Sequence, residues 1–283
     1  MNEARVVRIA RERRDAEEAS LVLTALGVPH AVEQDDGGWR VSVEARDEAA
    51  ARTALDDAAR EPPRARHAGP VAPFTLAGVH VAVLLAAAYV MTGPRAARTP
   101  AFVAGQADAR RILEGEWWRS VTALTLHGDG AHLLANALFG ALFLGALGSL
   151  VGSGVAVATA LAAGACGNLL NAWFRAPHHY AVGASTAIFG VVGALSGAAF
   201  RRRRDGTAGT ARAWLALGAG LGLLAMLGSS EESDVGAHLL GFAVGVPFGW
   251  ALPQGRRAVT AAQVGCALAS AAIVAIAWLL ALR

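Results

Sequence analysis

A serine, three histidines and an asparagine lie where the sequence is otherwise apolar. Ser185 and His238 lie near the starts of two apolar segments, and His127, His132 and Asn136 lie around the start of another. Polar and ionisable side chains at membrane depth are costly and usually mark a functional site. A serine hydroxyl becomes a nucleophile when a neighbouring base takes its proton, and a neutral imidazole can be that base at pH 7. These residue types therefore favour acyl transfer, with Ser185 as nucleophile and His238 as base.

The same residues could stabilise the negative charge that develops during acyl transfer. His132 and Asn136 are four residues apart, so they share one helix face and can direct an imidazole and an amide to one point. Ser185 lies in Gly183-Ala184-Ser185-Thr186, at the start of its apolar segment, where backbone N–H groups of a helix have no intrahelical partner. The sequence therefore predicts an oxyanion site formed by Asn136, His132 and the Ser185 N–H.

Each residue also has a simpler interpretation. A serine in a membrane helix is usually a packing residue bonded to a backbone carbonyl, and a lone histidine is more often a packed polar residue or a cofactor ligand. Gly-rich helices are common packing devices, so Gly241 and Gly245 carry little information alone. Asp129 fits a turn or a helix cap, and we expect His178 and His179 in a solvated outer loop. The conjunction of motifs, not any single residue, favours catalysis.

The elements that carry these residues are long enough to cross a bilayer. Of 283 residues, 54% are hydrophobic, and the mean hydropathy is +0.41. Roughly 20 mainly apolar residues span a hydrocarbon core about 30 Å thick. Segments of this kind are predicted at 74–92, 130–148, 154–174, 183–200, 212–228, 235–252 and 262–282.

The remaining composition excludes several partners. A net charge of +3 is too small to favour a nucleic-acid partner. Cys166 and Cys266 lie inside apolar segments, where they fit small packing residues, so we expect no disulfide and no metal. No cofactor is expected either. The lipid bilayer is the predicted environment, and nothing in the sequence indicates an oligomeric state.

The N-terminal part of the chain has a different character, because it is polar and carries most of the acidic residues. Alternating and helical patterns predict a small domain with the order βαββα, in which residues 35–38 form a hairpin turn. The predicted domains are 1–61 for this soluble α+β domain, 62–73 for a linker, 74–252 for a six-helix core and 253–283 for a seventh helix.

Arginine clusters indicate the orientation. They lie at 64–66, 201–204 and 256–257, and cytoplasmic loops carry an excess of basic residues. One orientation places all three clusters on the cytoplasmic side, with a cytoplasmic N-terminus. The second, fourth and sixth segments then run inward, so the polar residues at their starts lie at similar depth on the outer side.

The order of these motifs resembles the rhomboid family of intramembrane serine proteases. The segments that carry the resemblance lie within about 74–252 and match one family motif each. They are Gly183-Ala184-Ser185-Thr186-Ala187-Ile188-Phe189-Gly190 for the nucleophile, Ala237-His238-Leu239-Leu240-Gly241 with Gly245 for the histidine, His127 with His132 and Asn136 for the second helix, and Glu116-Trp117-Trp118-Arg119 with Thr122 for the first loop at the membrane interface.

The resemblance implies an all-α polytopic membrane protein with a six-helix rhomboid-type core, to which some members add a seventh C-terminal helix. The small N-terminal α+β domain, expected in the cytoplasm, lies outside the resemblance. It implies a Ser–His dyad without a third acidic residue, and cleavage of single-span membrane proteins at or near the outer face. The expected location is a bacterial inner membrane. Phe189 is then expected to pack on the His238 ring. The supporting residues are Gly183, Phe189, Gly241, Gly245 and His127.

Two other functions compete with this interpretation. A catalytically silent rhomboid-like binding protein would usually lack the serine or the histidine, and this chain has both. A small-solute transporter or channel would use the same polar cluster as a pathway and would predict internal repeats. The sequence shows no convincing repeat.

Overall fold

The structure, a computed structural model, describes residues 4–35, 37–60, 74–175, 179–205, 218, 234–252 and 260–283. The chain divides into two compact units, Met1–Arg64 and Ala65–Arg283. The predicted linker 62–73 lies outside the described residues, and so does the predicted segment 212–228 apart from residue 218.

The first unit is a three-stranded antiparallel sheet with two helices. The strands lie in the order β1-β3-β2, with Ser42 opposite both Val6 and Ala31. Leu23, Val41 and Leu55 are buried in its core. In chain order the elements are β1 (Ala4–Ala10), α1 (Arg13–Ala25), β2 (His30–Asp35), β3 (Gly38–Glu44) and α2 (Glu48–Arg60).

The second unit is built from long apolar helices. They are α3 (Ala77–Thr92), α7 (Gly130–Val151), α8 (Ser153–Phe174), α9 (Ser185–Arg204), α10 (Val235–Ala251) and α11 (Thr260–Ala281). Within the described residues, four helical segments are long and apolar enough to cross a membrane: Ala77–Ala97, Gly130–Val151, Ser153–Phe174 and Thr260–Ala281. α10 is apolar but shorter, and α9 ends in four arginines. The core between α7, α8 and α9 is formed by residues such as Leu147, Ala156 and Val191.

The backbones of α9 and α10 are in direct contact, which fixes the spacing of the two helices that carry Ser185 and His238. A Cβ atom at Gly241 would overlap the carbonyl oxygen of Thr186, and one at Gly245 would overlap that of Gly190. Any larger residue at either position would therefore push the two helices apart.

The connection from α3 to α7 is folded rather than extended. It contains α4 (Pro100–Gly105), β4 (Ala107–Asp108), α5 (Ala109–Leu113) and α6 (Arg119–Thr122), and β4 pairs with β5 (Tyr180–Ala181). Arg119, in the segment expected at the membrane interface, is buried inside this connection. Its guanidinium donates to Glu116 at 2.5 Å and to the carbonyl oxygens of Val103 and Gln106, because a buried charge needs such partners.

The last helix, α11, is attached near both of its ends. Gln263 exchanges hydrogen bonds with the backbone of Val151 and Val155, at the junction of α7 and α8. Near the other end, the Trp278 indole N–H donates to the Thr125 hydroxyl at 3.1 Å. α11 therefore supports the connection that leads into α7.

Candidate active site

Ser185 and His238 are hydrogen bonded. Ser185 is the first residue of α9, His238 lies in the first turn of α10, and Ser185 Oγ is 2.7 Å from His238 Nε2. Phe189, one turn after Ser185, stacks on the imidazole with 4.6 Å between ring centroids. His238 Nδ1 has no hydrogen-bond partner in the described part of the chain. The ring is therefore positioned by stacking and by its own helix, with no polar side chain bonded to Nδ1.

Gly183 allows Ser185 to occupy the start of α9. Its φ of +127° lies in the region that favours glycine, and its N–H donates to the Ala123 carbonyl at 2.9 Å. An added Cβ atom would lie 2.7 Å from the His132 ring. A side chain at this position would thus strain the turn and displace His132.

His132 and Asn136 share the face of α7 that borders the same space. Asp129 caps this helix, as predicted, by accepting a hydrogen bond from the His132 N–H at 2.8 Å. The Asn136 amide donates one N–H to the His132 carbonyl at 2.8 Å. An amide NH₂ group has a second N–H, so Asn136 keeps donor capacity toward the cavity.

A cavity of about 330 Å³ brings most of the predicted site residues together. Its lining includes Ser185, His238, His132, Asn136, Gly183 and Phe189. Gly241 and Gly245 do not line this cavity. They lie at the contact between α9 and α10.

His127 packs behind His132 and is fully buried, with 5.2 Å between the two ring centroids. Burial, together with the His132 ring, outweighs the opposing effects of the Thr125 backbone and Asp129, and lowers the pKa of His127 to about 4. The His127 ring is therefore neutral at pH 7, and its apolar edge supports the position of His132.

Asp234 is the main feature that the sequence reasoning missed. It lines the cavity, although the expected Ser–His dyad has no third acidic residue. His179, expected to be solvated, contacts its Oδ2 atom at 2.6 Å, and Asn171 donates to the same atom at 2.6 Å. His178, its neighbour in that prediction, lies outside the described residues. The available signal was Asp234 itself, an N-cap residue type placed just before an apolar helix.

The Asp234 carboxylate is ionised at neutral pH. Burial acts to raise its pKa, but the hydrogen bonds from His179 and from the Ala237 N–H, with the positive charge of Arg175, hold the pKa of Asp234 below its ordinary value. Its contacts are therefore those of a charged acceptor, which are stronger than neutral hydrogen bonds.

These groups can carry out acyl transfer. A neutral imidazole bonded to a serine hydroxyl can accept the hydroxyl proton. At the first position of α9, the Ser185 N–H has no partner within the helix, and the side chains of Asn136 and His132 border the same cavity. Among the described residues there is no group of three or more histidine, cysteine or acidic side chains placed to hold a metal ion.

The helical membrane unit and its Ser–His pair define a polytopic membrane protein with the elements of a serine hydrolase. The model of the Rhomboid domain family matches residues 114–255, which is half of the chain. The chain belongs to the rhomboid family, and it is an integral multi-pass membrane protein.

Two proteins of Bacillus subtilis (strain 168) are similar to parts of the chain. The protein named "Putative rhomboid protease YdcA" is 37% identical over 83 residues, which is 29% of this chain and 41% of that protein. Rhomboid protease GluP is 39% identical over 100 residues, which is 35% of this chain and 19% of that protein. The chain thus matches less than half of the length of either relative.

Proposed function

We propose that this protein is an intramembrane serine endopeptidase that cleaves single-span membrane proteins, with Ser185 as nucleophile and His238 as general base. The observation that carries the proposal is the 2.7 Å contact between Ser185 Oγ and His238 Nε2 beside the cavity. Family membership and the names of the two relatives support the same reaction class.

The first half of the reaction forms an acyl-enzyme. Ser185 Oγ attacks the carbonyl carbon of the scissile peptide bond while His238 Nε2 takes the hydroxyl proton. The carbonyl oxygen becomes an oxyanion that accepts hydrogen bonds from the Asn136 amide, His132 and the Ser185 N–H. Collapse of this intermediate breaks the C–N bond, and His238 gives its proton to the leaving amine.

The second half returns the enzyme to its starting state. A water molecule takes the place of the amine. His238 takes a proton from this water as the water oxygen attacks the ester carbon. The oxyanion forms again at the same donors, the ester bond breaks, and the proton returns to Ser185 Oγ. A membrane helix hides its peptide bonds, so substrates with Gly near the cleavage point, which unwind more readily, are favoured.

The proposed orientation places the N-terminus in the cytoplasm of a bacterial cell and the cavity on the outer side of the inner membrane. The first turns of α7, α9 and α10 all border the cavity, whereas the arginines that end α9 lie at its opposite end. The positive-inside rule then favours a cytoplasmic location for those arginines.

Single cysteines at positions 230 and 206, in a background without Cys166 and Cys266, test the orientation. A membrane-impermeant thiol reagent on intact cells should label position 230 and spare position 206. Labelling of position 206 alone would place the cavity on the cytoplasmic side and contradict the orientation.

Cleavage of a model single-span substrate in proteoliposomes tests the activity. The wild-type protein should release a fragment whose new terminus maps near one end of the substrate helix, and Ser185→Ala should abolish that release. Ser196 is a matched control, because it lies on the same helix and its hydroxyl donates to the Val192 carbonyl at 2.9 Å. Ser196→Ala should cleave normally, and cleavage that persists in Ser185→Ala would refute the proposed function.

A further inference from the structure

The Asp234 carboxylate connects three parts of the chain that are distant in sequence. Its Oδ2 atom accepts a hydrogen bond from Asn171, near the end of α8, and contacts His179 Nε2, before α9. Its Oδ1 atom accepts from the Ala237 N–H in the first turn of α10 at 3.1 Å. Arg175 lies 3.5 Å from the same oxygen. One partly buried charge therefore joins the end of α8, the segment before α9 and the start of α10.

His179 begins the short segment that leads to Ser185. Its carbonyl accepts a hydrogen bond from the Ala109 N–H at 3.0 Å, and the next two residues form β5, which pairs with β4. The segment ends at Gly183, which is bonded to Ala123. Asp234 therefore contacts the beginning of the segment 179–183, and the end of this segment positions Ser185.

Asp234 also holds the helix that carries His238. The His238 N–H donates to the Asp234 carbonyl at 3.0 Å, and the Asp234 side chain caps the same turn through Ala237. Since His238 Nδ1 has no partner in the described part of the chain, the position of the imidazole depends on this backbone turn and on stacking with Phe189.

We propose that Asp234, hydrogen bonded to His179, is a positioning residue that sets the distance between Ser185 and His238. The inference rests on the proposed function. In a Ser-His-Asp triad, an acidic residue orients the base by bonding directly to its imidazole. Here the carboxylate acts through the backbone on both partners, and a displacement of about 1 Å between reacting groups can lower a rate about 100-fold.

Asp234→Asn separates this role from helix capping. Asparagine caps helices about as well as aspartate, so the bond to the Ala237 N–H can be kept. The variant removes the negative charge and, with the remaining oxygen on the Ala237 N–H, replaces the other acceptor oxygen with an NH₂ group. This group only donates, so it cannot accept the hydrogen bond from Asn171. His179→Gln removes the imidazole from the other side of the contact and leaves the cap untouched.

Kinetics with the model single-span substrate in proteoliposomes test the inference. Asp234→Asn and His179→Gln should each lower kcat about 10- to 100-fold and leave KM within about twofold. The double variant should be no slower than the slower single variant, because both changes break one contact. Asp205→Asn is the matched control: this carboxylate follows the opposite end of α9, 3.7 Å from Arg201, and its kcat should stay within about twofold of wild type.

The outcomes separate this inference from the proposed function. An inactive wild-type protein, or cleavage that does not need Ser185, would refute the proposed function. An active wild type whose Asp234→Asn and His179→Gln variants keep the full kcat, change only KM, or have additive effects would refute the positioning role alone. Thermal unfolding in detergent is measured for each variant. If Asp234→Asn does not fold, the positioning role is judged from the kinetics of His179→Gln by the same criteria.

Discussion

A second hydrogen-bonded Ser–His pair lies in the N-terminal unit, and its geometry matches that of the membrane unit. Ser20 Oγ is 2.7 Å from His30 Nε2, the same distance that separates Ser185 from His238. The His30 ring is even fixed on its other side, since Nδ1 contacts the Val28 carbonyl at 2.9 Å. A close contact and an oriented ring are therefore not enough to define an active site.

The two pairs differ in the position of the serine on its helix. Ser20 lies inside α1, where the surrounding backbone N–H groups bond within the helix, whereas Ser185 is the first residue of α9, where they do not. Ser185 also borders a cavity together with His132 and Asn136. The comparison teaches that donors for a developing oxyanion, together with space for a substrate, distinguish the candidate site from a structural pair.

The largest expected effect comes from breaking each pair in turn. His238→Ala should reduce cleavage to background, and Ser185→Ala/His238→Ala should be no worse than either single variant, because the two residues act as a unit. Ser20→Ala and His30→Gln should retain wild-type kcat. Initial rates with one substrate are compared for wild type, the Ser185 and His238 single and double variants, and the Ser20 and His30 variants. Normal cleavage by His238→Ala, or loss of cleavage in Ser20→Ala, would contradict the assignment of Ser185 and His238 as the reacting pair.

Asn136→Ala tests the donors that only the membrane unit offers. We expect kcat to fall about 100-fold with little change in KM, because the amide is proposed to bind charge that exists only in the transition state. Steady-state kinetics over a range of substrate concentrations separate the two constants. An effect confined to KM would show that Asn136 binds the ground state instead.

His127 makes the stability of the membrane unit depend on pH. Its pKa is about 4 in the folded protein, whereas the ordinary value, which applies to the unfolded chain, is 6.5. Between pH 4 and pH 6.5 the unfolded chain therefore binds more protons than the folded protein. Folded-state stability should therefore fall as pH is lowered through this window, by about 2 kcal/mol between pH 7 and pH 5.

Thermal unfolding in detergent at pH 7 and pH 5 measures this dependence. His127→Asn should make the difference between the two unfolding temperatures smaller, because the variant has no imidazole to protonate at this position. The Asp234 carboxylate, whose pKa is lowered from 3.8, contributes its pH dependence below this window. An unchanged difference in His127→Asn would assign the pH dependence to another group.

Deleting residues 1–61 should have the smallest effect. Every proposed catalytic group lies in the second unit, so kcat in detergent should stay within about twofold of the full-length value. Size-exclusion chromatography shows whether the truncated protein is intact. A monodisperse but inactive truncation would make the N-terminal unit part of the enzyme.

The sequence predicted which residues meet at the cavity because each belongs to a short local motif. Ser185 and His238 were found from their positions at the starts of apolar segments, and Asp129 from its residue type before a helix. These signals need only a few neighbouring residues. The matching Ser20–His30 pair had no such signal, because Ser20 is an ordinary polar residue on an amphipathic helix.

The sequence could not predict contacts that form only when distant segments meet. His179 and Asp234 are 55 residues apart, and most residues between them belong to α9 or lie outside the described part of the chain. Arg119 is a similar case, since its interior position follows from carbonyl groups at Val103 and Gln106. A polar residue type alone does not reveal whether its partners will be protein groups or water.

Labelling with a fluorophosphonate probe is the most direct test of the central claim, because it reports which serine in the folded protein is an activated nucleophile. The full-length protein in detergent is labelled and digested, and the modified peptide is sequenced by mass spectrometry. We predict one modified residue, Ser185, with labelling lost in His238→Ala and retained in His30→Gln. Labelling at Ser20, or at Ser185 without dependence on His238, would contradict the proposed Ser185–His238 mechanism.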